Sequence, residues 1–296
     1  AAALVALSLL GGIAATTLQS RIARAERARA ERRFGQVRKL SNTFLFDFHN
    51  EIQNLPGSTK AREMVVRTAL EYLDSLAQEA ADDPALQLEL AQAYEKVGGL
   101  QGNPNNQNRG DSAAALVSYK KALSIYSRLL ANDPSNQRLL GALAYLNLSL
   151  GQLYSDTGKF AETEQCFYET IRLVEKLTAA RTEVDPYLAA TTHNRLGELA
   201  RRKGDLQAAL EHQRRGFAFI SDWAARHPKA DARGLWIMGY QRLGGALLRK
   251  GDLEEAFEAH QQALRISEEQ VASSPEYTNA RRGLISRYQG IAAVLG

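Results

Sequence analysis

The sequence contains few of the residue patterns that carry catalytic or metal chemistry. One cysteine, Cys166, occurs among 296 residues, which excludes an internal disulfide framework. The five histidines show no metal-ligand spacing, and neither HExxH nor CxxC occurs. A Gly-rich phosphate loop, a GxSxG motif and a Ser–His–Asp order are also missing. We therefore expect a chain that is not an enzyme and that binds no metal or cofactor.

Excess charge of one sign is confined to one short segment. The chain has a net charge of +4. Residues 21–39 hold eight basic and two acidic residues, a net charge of +6, which leaves −2 for the rest of the chain. The basic pI therefore describes that segment. Together with few aromatic residues on the presumed binding face, this balance argues against a nucleic-acid-binding protein.

Long hydrophobic runs are missing after residue 20, but residues 1–20 form one. They carry no charge and predict a transmembrane helix. The competing interpretation is a signal peptide, which would need a basic region ahead of the run. Because the chain opens on alanine inside this run, we expect a longer upstream sequence. Residues 21–33 predict a basic helical stalk, either solvated or in contact with anionic lipid headgroups.

Residues 34–81 predict a helical hairpin that caps the rest of the chain. Apolar residues from Phe34 to Leu55 recur at helical spacing, and Pro56-Gly57 breaks the pattern. A second apolar stripe follows, running from Val65 to Ala80. Two amphipathic helices joined by a short break are expected to fold back on each other.

Glycines repeat at near-constant steps from residue 98 onward. The steps are 53, 46, 47 and 46 residues, and a second glycine usually follows seven residues after the first. In the first unit the gap is twelve, because a five-residue insertion falls within residues 103–109, which form a predicted surface loop. Such a period predicts stacked helical hairpins over 82–296, with four repeats and an incomplete fifth. The structural glycines are Gly98, Gly151, Gly197, Gly244 and Gly290, followed by Gly110, Gly158, Gly204 and Gly251.

The residues around these glycines predict how each hairpin packs. The first glycine of a unit is expected to let two helices approach closely, and the second to end a helix in the left-handed conformation. Tyr119, Phe167, Gln213 and His260 form the bulky positions of a small–bulky–small stripe on the second helix.

Five prolines and the residues before them predict where first helices begin. Pro84, Pro134, Pro186, Pro228 and Pro275 precede these helices, and Asp83, Asp133, Asp185 and Ser274 are predicted caps. At the other end, Gly290 predicts a turn near position 297. We therefore expect the last helix to expose Leu284, Ile291 and Leu295 and to fray.

The Leu-Gly pair, the glycine seven residues later and the Ala–aromatic–Ala stripe resemble the tetratricopeptide repeat over about 84–296. The period of 46–48 residues exceeds the usual one, and Tyr94, Asn147, His193 and Tyr240 stand where the family has its signature tryptophan. The resemblance implies an all-α helical-hairpin solenoid. Its concave face would be lined mainly by the first helix of each unit.

A second resemblance covers the apolar run and residues 24–98. This stretch is similar to the region after the kinase domain in bacterial membrane serine/threonine protein kinases that end in tetratricopeptide repeats. The catalytic domain of that family lies upstream of the membrane span, and no HRD or DFG motif occurs here. The resemblance implies an extracytoplasmic array, whereas the basic residues after the span favour a cytoplasmic one.

The leading hypothesis for function is a non-catalytic interaction and sensor region of such a kinase. The alternative is a stand-alone, membrane-anchored scaffold for assembling a protein complex. Neither involves nucleic acid or a small-molecule substrate. On the concave face we expect a basic, amide-bearing patch that suits an acidic peptide or a C-terminal carboxylate, although a merely solvated face is the other interpretation. The candidate binding residues are Asn194, Arg195, Glu198, Arg201, Arg202, Gln241, Arg242 and Arg249.

Overall fold

The computed structural model describes residues 59–79, 83–102, 110–228, 231–273 and 278–296. Within these ranges the regular structure is entirely helical. The helices are α1 (Thr59–Glu79), α2 (Pro84–Gly102), α3 (Ser112–Asn132), α4 (Gln137–Asp156), α5 (Phe160–Ala179), α6 (Pro186–Arg202), α7 (Leu206–Arg226), α8 (Arg233–Lys250), α9 (Leu253–Ser273) and α10 (Thr278–Leu295).

The predicted membrane segment, the stalk and the first helix of the predicted cap lie outside the described residues. Across the ranges that are described, none of the helices combines the length and apolar character needed to cross a bilayer. The chain divides into two compact units, Ala1–Ser75 and Leu76–Gly296. In the first unit, the described part of α1 buries Val65, Ala69 and Leu73, which belong to the predicted apolar stripe.

The second unit is a series of helical hairpins, as predicted. Helix α2 packs on α3, α4 on α5, α6 on α7 and α8 on α9. Each second helix also contacts the first helix of the next hairpin, so that α7 packs on α8 and α9 on α10. First helices contact one another as well, in the pairs α4–α6, α6–α8 and α8–α10. They therefore form a continuous layer, called here the first-helix layer.

The first repeat glycine of each complete hairpin lies on the first helix, directly against the bulky residue of the following second helix. An added Cβ would fall within 3.0 Å of that side chain, a distance that real Cβ atoms essentially never show. The predicted close approach is confirmed at every complete hairpin. The pairs, with the nearest distance from the added Cβ, are Gly98 and Tyr119 (2.7 Å), Gly151 and Phe167 (2.5 Å), Gly197 and Gln213 (2.6 Å), and Gly244 and His260 (2.9 Å).

Gly290 on α10 also finds a partner, but in the preceding hairpin. A Cβ there would lie 2.6 Å from Nδ1 of His260, the side chain that already packs on Gly244. His260 is thus held between two glycines of successive first helices. Beyond this contact Leu295 is 71% exposed, while Leu284 and Ile291 are half-buried.

Three glycines of the second set, Gly158, Gly204 and Gly251, lie at the ends of first helices as predicted, whereas α2 ends at Gly102 and Gly110 precedes the cap of α3. All four have positive φ, in the region that L side chains rarely adopt. Their values are +72° at Gly110, +74° at Gly158, +82° at Gly204 and +94° at Gly251.

Aspartate caps begin several helices. The carboxylate of Asp83 accepts a hydrogen bond from the backbone N–H of Ala85 at 2.9 Å, and that of Asp185 accepts one from Tyr187 at 2.8 Å. Both precede a proline at the first helical position, so the predicted proline-plus-aspartate signal is correct at these two starts.

The prediction that Asp133 caps α4 is wrong. The chain turns at Pro134 and Ser135, and the helix begins at Gln137. Asn136 is the cap, since its side chain accepts a hydrogen bond from the N–H of Leu139 at 3.1 Å. Asp133 instead accepts from the side-chain amide of Asn136 at 3.0 Å and so orients the cap.

Pro228 likewise lies outside the first turn of its helix, which starts at Arg233. The side chain at the cap position, Ala232, cannot accept a hydrogen bond. The carboxylate of Asp231 accepts one from the N–H of Arg233 at 3.1 Å and supplies the missing acceptor.

Candidate functional site

The eight predicted binding residues all lie on α6 and α8, two neighbouring helices of the first-helix layer. The structure brings them onto adjacent helices. Their surroundings then separate them into a self-paired charge cluster, two amides that hold the fold together, and a half-buried pair of arginines.

Glu198 is at the centre of the self-paired cluster. Its carboxylate accepts a hydrogen bond from Nε of Arg201 at 2.9 Å, and Nε of Arg202 lies 3.7 Å from it. The hydrogen bond from Arg201, with further help from Arg202 and Arg249, keeps the pKa of Glu198 below its usual value. Much of the positive charge at this end of α6 is therefore already neutralised within the chain.

The two amides form contacts inside the array. Oδ1 of Asn194 accepts a hydrogen bond from Nε2 of Gln213 at 3.2 Å, which orients the side chain that packs on Gly197. Gln241 donates from Nε2 to the hydroxyl of Ser286 at 3.4 Å and so connects α8 to α10.

Arg242 is different, because its charge is half-buried and no carboxylate of the described ranges pairs with it. Its Nη1 atom is buried and has no hydrogen-bond partner among the described residues. Burial, followed by the positive charge of nearby Arg195, holds the pKa of Arg242 below its usual value. A guanidinium that is desolvated beside a second cation is unfavourable until an anion approaches. Arg242 is therefore the position where an incoming acidic group would gain most.

Thr191 extends this position along α6, and the sequence analysis missed it. It lies one turn before Arg195 on the same helix face. Its hydroxyl Oγ1 is buried and, within the described ranges, has no hydrogen-bond partner. Thr191, Arg195 and Arg242 are named here the Arg242 notch and form a candidate anion site, since each has a buried polar side-chain atom. The four-residue spacing from Arg195 could have pointed to Thr191.

Arg287 lies on α10, the next first helix after α8, and adds a further half-buried arginine to the first-helix layer. Its Nε atom is buried and lacks a hydrogen-bond partner in the described part of the chain, and burial lowers its pKa. It stands 46 residues after Gln241, one repeat further on, where the sequence analysis ended its list of candidates.

No group of three or more His, Cys, Asp or Glu side chains that could hold a metal occurs among the residues that the structure describes. Burial, together with Glu162 and Glu169, raises the pKa of the Cys166 thiol to about 11. That thiol is therefore protonated at neutral pH and is a poor nucleophile.

This geometry defines a helical-hairpin repeat protein with its candidate site on the layer of first helices. Residues 237–269, covering most of α8 and α9, match the tetratricopeptide repeat family model, so this hairpin is similar to a tetratricopeptide repeat. No curated protein matches the sequence.

Solved structures resemble this fold at low sequence identity. The crystal structure of BtubC (BKLC) from P. vanneervenii superimposes with a TM-score of 0.59 and 17% identity, over 79% of this chain and 83% of that chain. A putative kinesin light chain from Podosopora anserina with nearly identical TPR-like repeats gives a TM-score of 0.48 and 17% identity, over 78% of this chain and 95% of that one. At such identity the likeness extends to the fold alone.

Proposed function

We propose that this array is a non-catalytic scaffold that binds a protein or peptide partner on its first-helix layer, with an acidic group of that partner in the Arg242 notch. The observation that carries the proposal is the buried, unpartnered Nη1 of Arg242 beside Arg195. Guanidinium groups pair with carboxylates through two parallel hydrogen bonds, and Thr191 adds a hydroxyl donor. An acidic side chain or a chain-terminal carboxylate satisfies all of these groups.

The architecture supports this proposal on physical grounds. A repeat array exposes one continuous layer of helices, which offers an extended surface to an extended partner. One exposed tyrosine flanks the notch, since Tyr187 on α6 is 51% exposed and is close enough to Arg242 to interact with it electrostatically. Tyrosine is a frequent anchor in protein interfaces because it combines an apolar ring with a polar hydroxyl.

The test compares the notch with the self-paired cluster on the same helices. Fluorescent peptides carrying several Glu residues are titrated against the array at physiological salt, beside peptides with Gln in their place. We expect Arg242→Glu to weaken binding of the Glu peptides by about tenfold or more, since one desolvated ion pair is worth that much. Arg202→Glu should weaken it less, because Arg202 already faces Glu198.

Arg265→Glu provides the control, since Arg265 lies on the outer helix α9 and pairs with Glu269 at 2.7 Å. Equal losses of affinity from the Glu substitutions at Arg202, Arg242 and Arg265 would indicate general charge attraction. That result would overturn the proposal that the Arg242 notch holds the acidic group. Equal affinity for the Glu and Gln peptides would overturn the proposal that the partner is acidic. The array would then be a scaffold with a different specificity.

We further propose that the scaffold is the interaction and sensor region of a bacterial membrane serine/threonine protein kinase, with the array on the extracytoplasmic side of a single membrane span. The support is the resemblance of residues 24–98 to the region after the kinase domain in that family. The reading frame upstream of Ala1 tests this directly. Kinase motifs there, followed by phosphotransfer activity of the full-length protein, are expected; an upstream sequence without them favours the stand-alone scaffold. Protease accessibility in intact and lysed cells tests the topology.

A further inference from the structure

A cavity lies between the C-terminal ends of two second helices, at the start of α6. Its volume is about 320 Å³, within the range of small ligand pockets. Its wall is formed by the end of α5 and the following loop on one side and by the last turns of α7 on the other. The lining includes Arg181, Thr182, Phe219, Asp222, Trp223 and Arg226.

Arg181 has a backbone conformation that is costly for its residue type. Its φ is +56°, and it is the one non-glycine residue with positive φ in the described ranges. It ends α5 by donating its N–H to the carbonyl of Thr178 at 2.9 Å, a role that glycine fills at lower cost. The backbone therefore gives no reason for an arginine, which directs attention to its guanidinium. That guanidinium is exposed and pairs with no carboxylate of the described residues.

Thr182 adds a buried hydroxyl at the same wall. Its backbone N–H donates to Leu177 at 2.9 Å, but its side-chain Oγ1 is buried and has no hydrogen-bond partner among the residues described. A buried hydroxyl without a partner is unfavourable unless a ligand or a water satisfies it.

The opposite wall is aromatic, and its acidic groups are already in use. Trp223 stacks on His227 with ring centroids 4.7 Å apart, and Phe219 lies one turn earlier on α7. Asp222 accepts from Arg226 at 3.1 Å. The groups left for a ligand are thus a guanidinium, a hydroxyl and two apolar rings.

We infer that this cavity binds a carboxylate attached to a compact apolar or aromatic body. The carboxylate pairs with Arg181 and accepts a hydrogen bond from Thr182, while the apolar body packs on Phe219 and Trp223. Either a free small organic acid or the last residue of another chain carries this chemistry. The site shares no residue with the Arg242 notch, so it stands or falls independently of the proposed function.

The experiment is calorimetric titration of the full chain with two matched pairs of probes. One pair is 3-phenylpropionate and its amide; the other is a short peptide ending in phenylalanine, with a free or an amidated C-terminus. We expect the acid of at least one pair to bind about tenfold or more tightly than its amide, as a charge-assisted pair predicts. The pair that binds identifies the source as a free acid or a chain terminus.

Arg181→Gly is the decisive variant, because it removes the guanidinium and relieves the backbone at once. It should lower affinity for the acid by about tenfold or more without lowering the melting temperature, since glycine suits a positive φ. Thr182→Val should weaken binding of the acid several-fold. Thr178→Val should leave binding unchanged, since the Thr178 hydroxyl already donates to the carbonyl oxygen of Val174 at 2.9 Å. Equal affinity for acid and amide, binding unaffected by Arg181→Gly, or no binding of any probe at millimolar concentration would each overturn the inference.

Discussion

Nδ1 of His193 on α6 lies 3.3 Å from Nδ1 of His212 on α7. The ring centroids are 5.6 Å apart and the ring planes are tilted by 33°. Either Nδ1–H can donate to the other Nδ1, depending on the tautomer that each ring adopts. His193 is buried and stacks on Phe219, while His212 is half-buried and faces Tyr168 of the preceding hairpin. This contact therefore connects α5, α6 and α7.

The histidine pair predicts that the array loses stability in mild acid. Burial, followed by the charges of His212 and Arg215, lowers the pKa of His193 to about 4, and burial lowers that of His212. Below the ordinary histidine pKa of about 6.5, the unfolded chain takes up protons that the folded array does not. The free energy of unfolding should fall from there to about pH 4, by roughly 3 kcal/mol for His193.

Urea unfolding at a series of pH values measures this effect. The charged neighbours of the pair are Arg215 and Glu211 on α7 and Glu164 on α5, so the work is done at moderate salt. His212→Gln keeps a hydrogen-bonding side chain that cannot be protonated and should reduce the fall only in part, because burial is the larger cause of the low pKa of His193. His227→Gln, outside the pair, should not reduce it. A wild-type curve that is flat between pH 7 and pH 4.5 would contradict this account.

The close contact of Gly151 with Phe167 predicts a strong position effect within one helix. Gly151→Ala would place a Cβ 2.5 Å from the buried ring and 3.2 Å from Cβ of Cys166. We expect it to destabilise the array by about 1–3 kcal/mol through overpacking. Gly141→Ala in the same helix meets nothing within 4 Å and should stabilise it by up to about 1 kcal/mol. Denaturant unfolding of both variants measures the difference, and similar effects at the two sites would refute the close-packing role.

Asp185 predicts coupling between two hairpins. One carboxylate oxygen caps α6, and the other accepts a hydrogen bond from the Tyr145 hydroxyl on α4. Asp185→Ala should cost about 1–2 kcal/mol, and Tyr145→Phe about 1 kcal/mol. In a double-mutant cycle, the double mutant should lose less stability than the sum of the two single losses, since the second substitution removes a contact that the first has already broken. Strict additivity of the two losses would show that the hydrogen bond between Tyr145 and Asp185 contributes nothing to stability. Asp205→Ala, which removes a cap at α7, serves for comparison.

The burial of the Glu95 carboxylate predicts that removing its charge stabilises the first hairpin. Burial raises the pKa of Glu95, although Tyr126 donates a hydrogen bond to its carboxylate at 3.0 Å and lowers it in part. The folded state thus holds this proton more tightly than the unfolded chain, and stability declines as the pH rises through the raised pKa. Glu95→Gln should raise the melting temperature at pH 7 and have little effect at pH 4. The exposed Glu258→Gln is the control, and a lower melting temperature at pH 7 would contradict the prediction.

The periodic features of the fold were predictable because they repeat. Glycines that recur at one position reveal a shared steric demand, so the hairpins, their close contacts and their left-handed ends follow from spacing alone. Single events were missed. Asn136 replaced Asp133 as a cap because a turn shifted the helix start, and Arg181 took a conformation that elsewhere belongs to glycine. Repeat spacing places the candidate residues on two neighbouring first helices, but pairing by Glu198 and burial at Arg242 depend on neighbours that spacing does not reveal.

The side chains that pack on the first-helix glycines differ along the array, and this difference has a mechanical consequence. Tyr119 and Phe167 are aromatic, Gln213 is an amide, and His260 is held by two successive hairpins at once. The force needed to separate the two helices of a hairpin depends on the side chain that packs on its glycine, so it differs from one hairpin to the next. Tension applied to the ends of the array would therefore extend it in steps, and the hairpin built on Gln213 would yield before its neighbours.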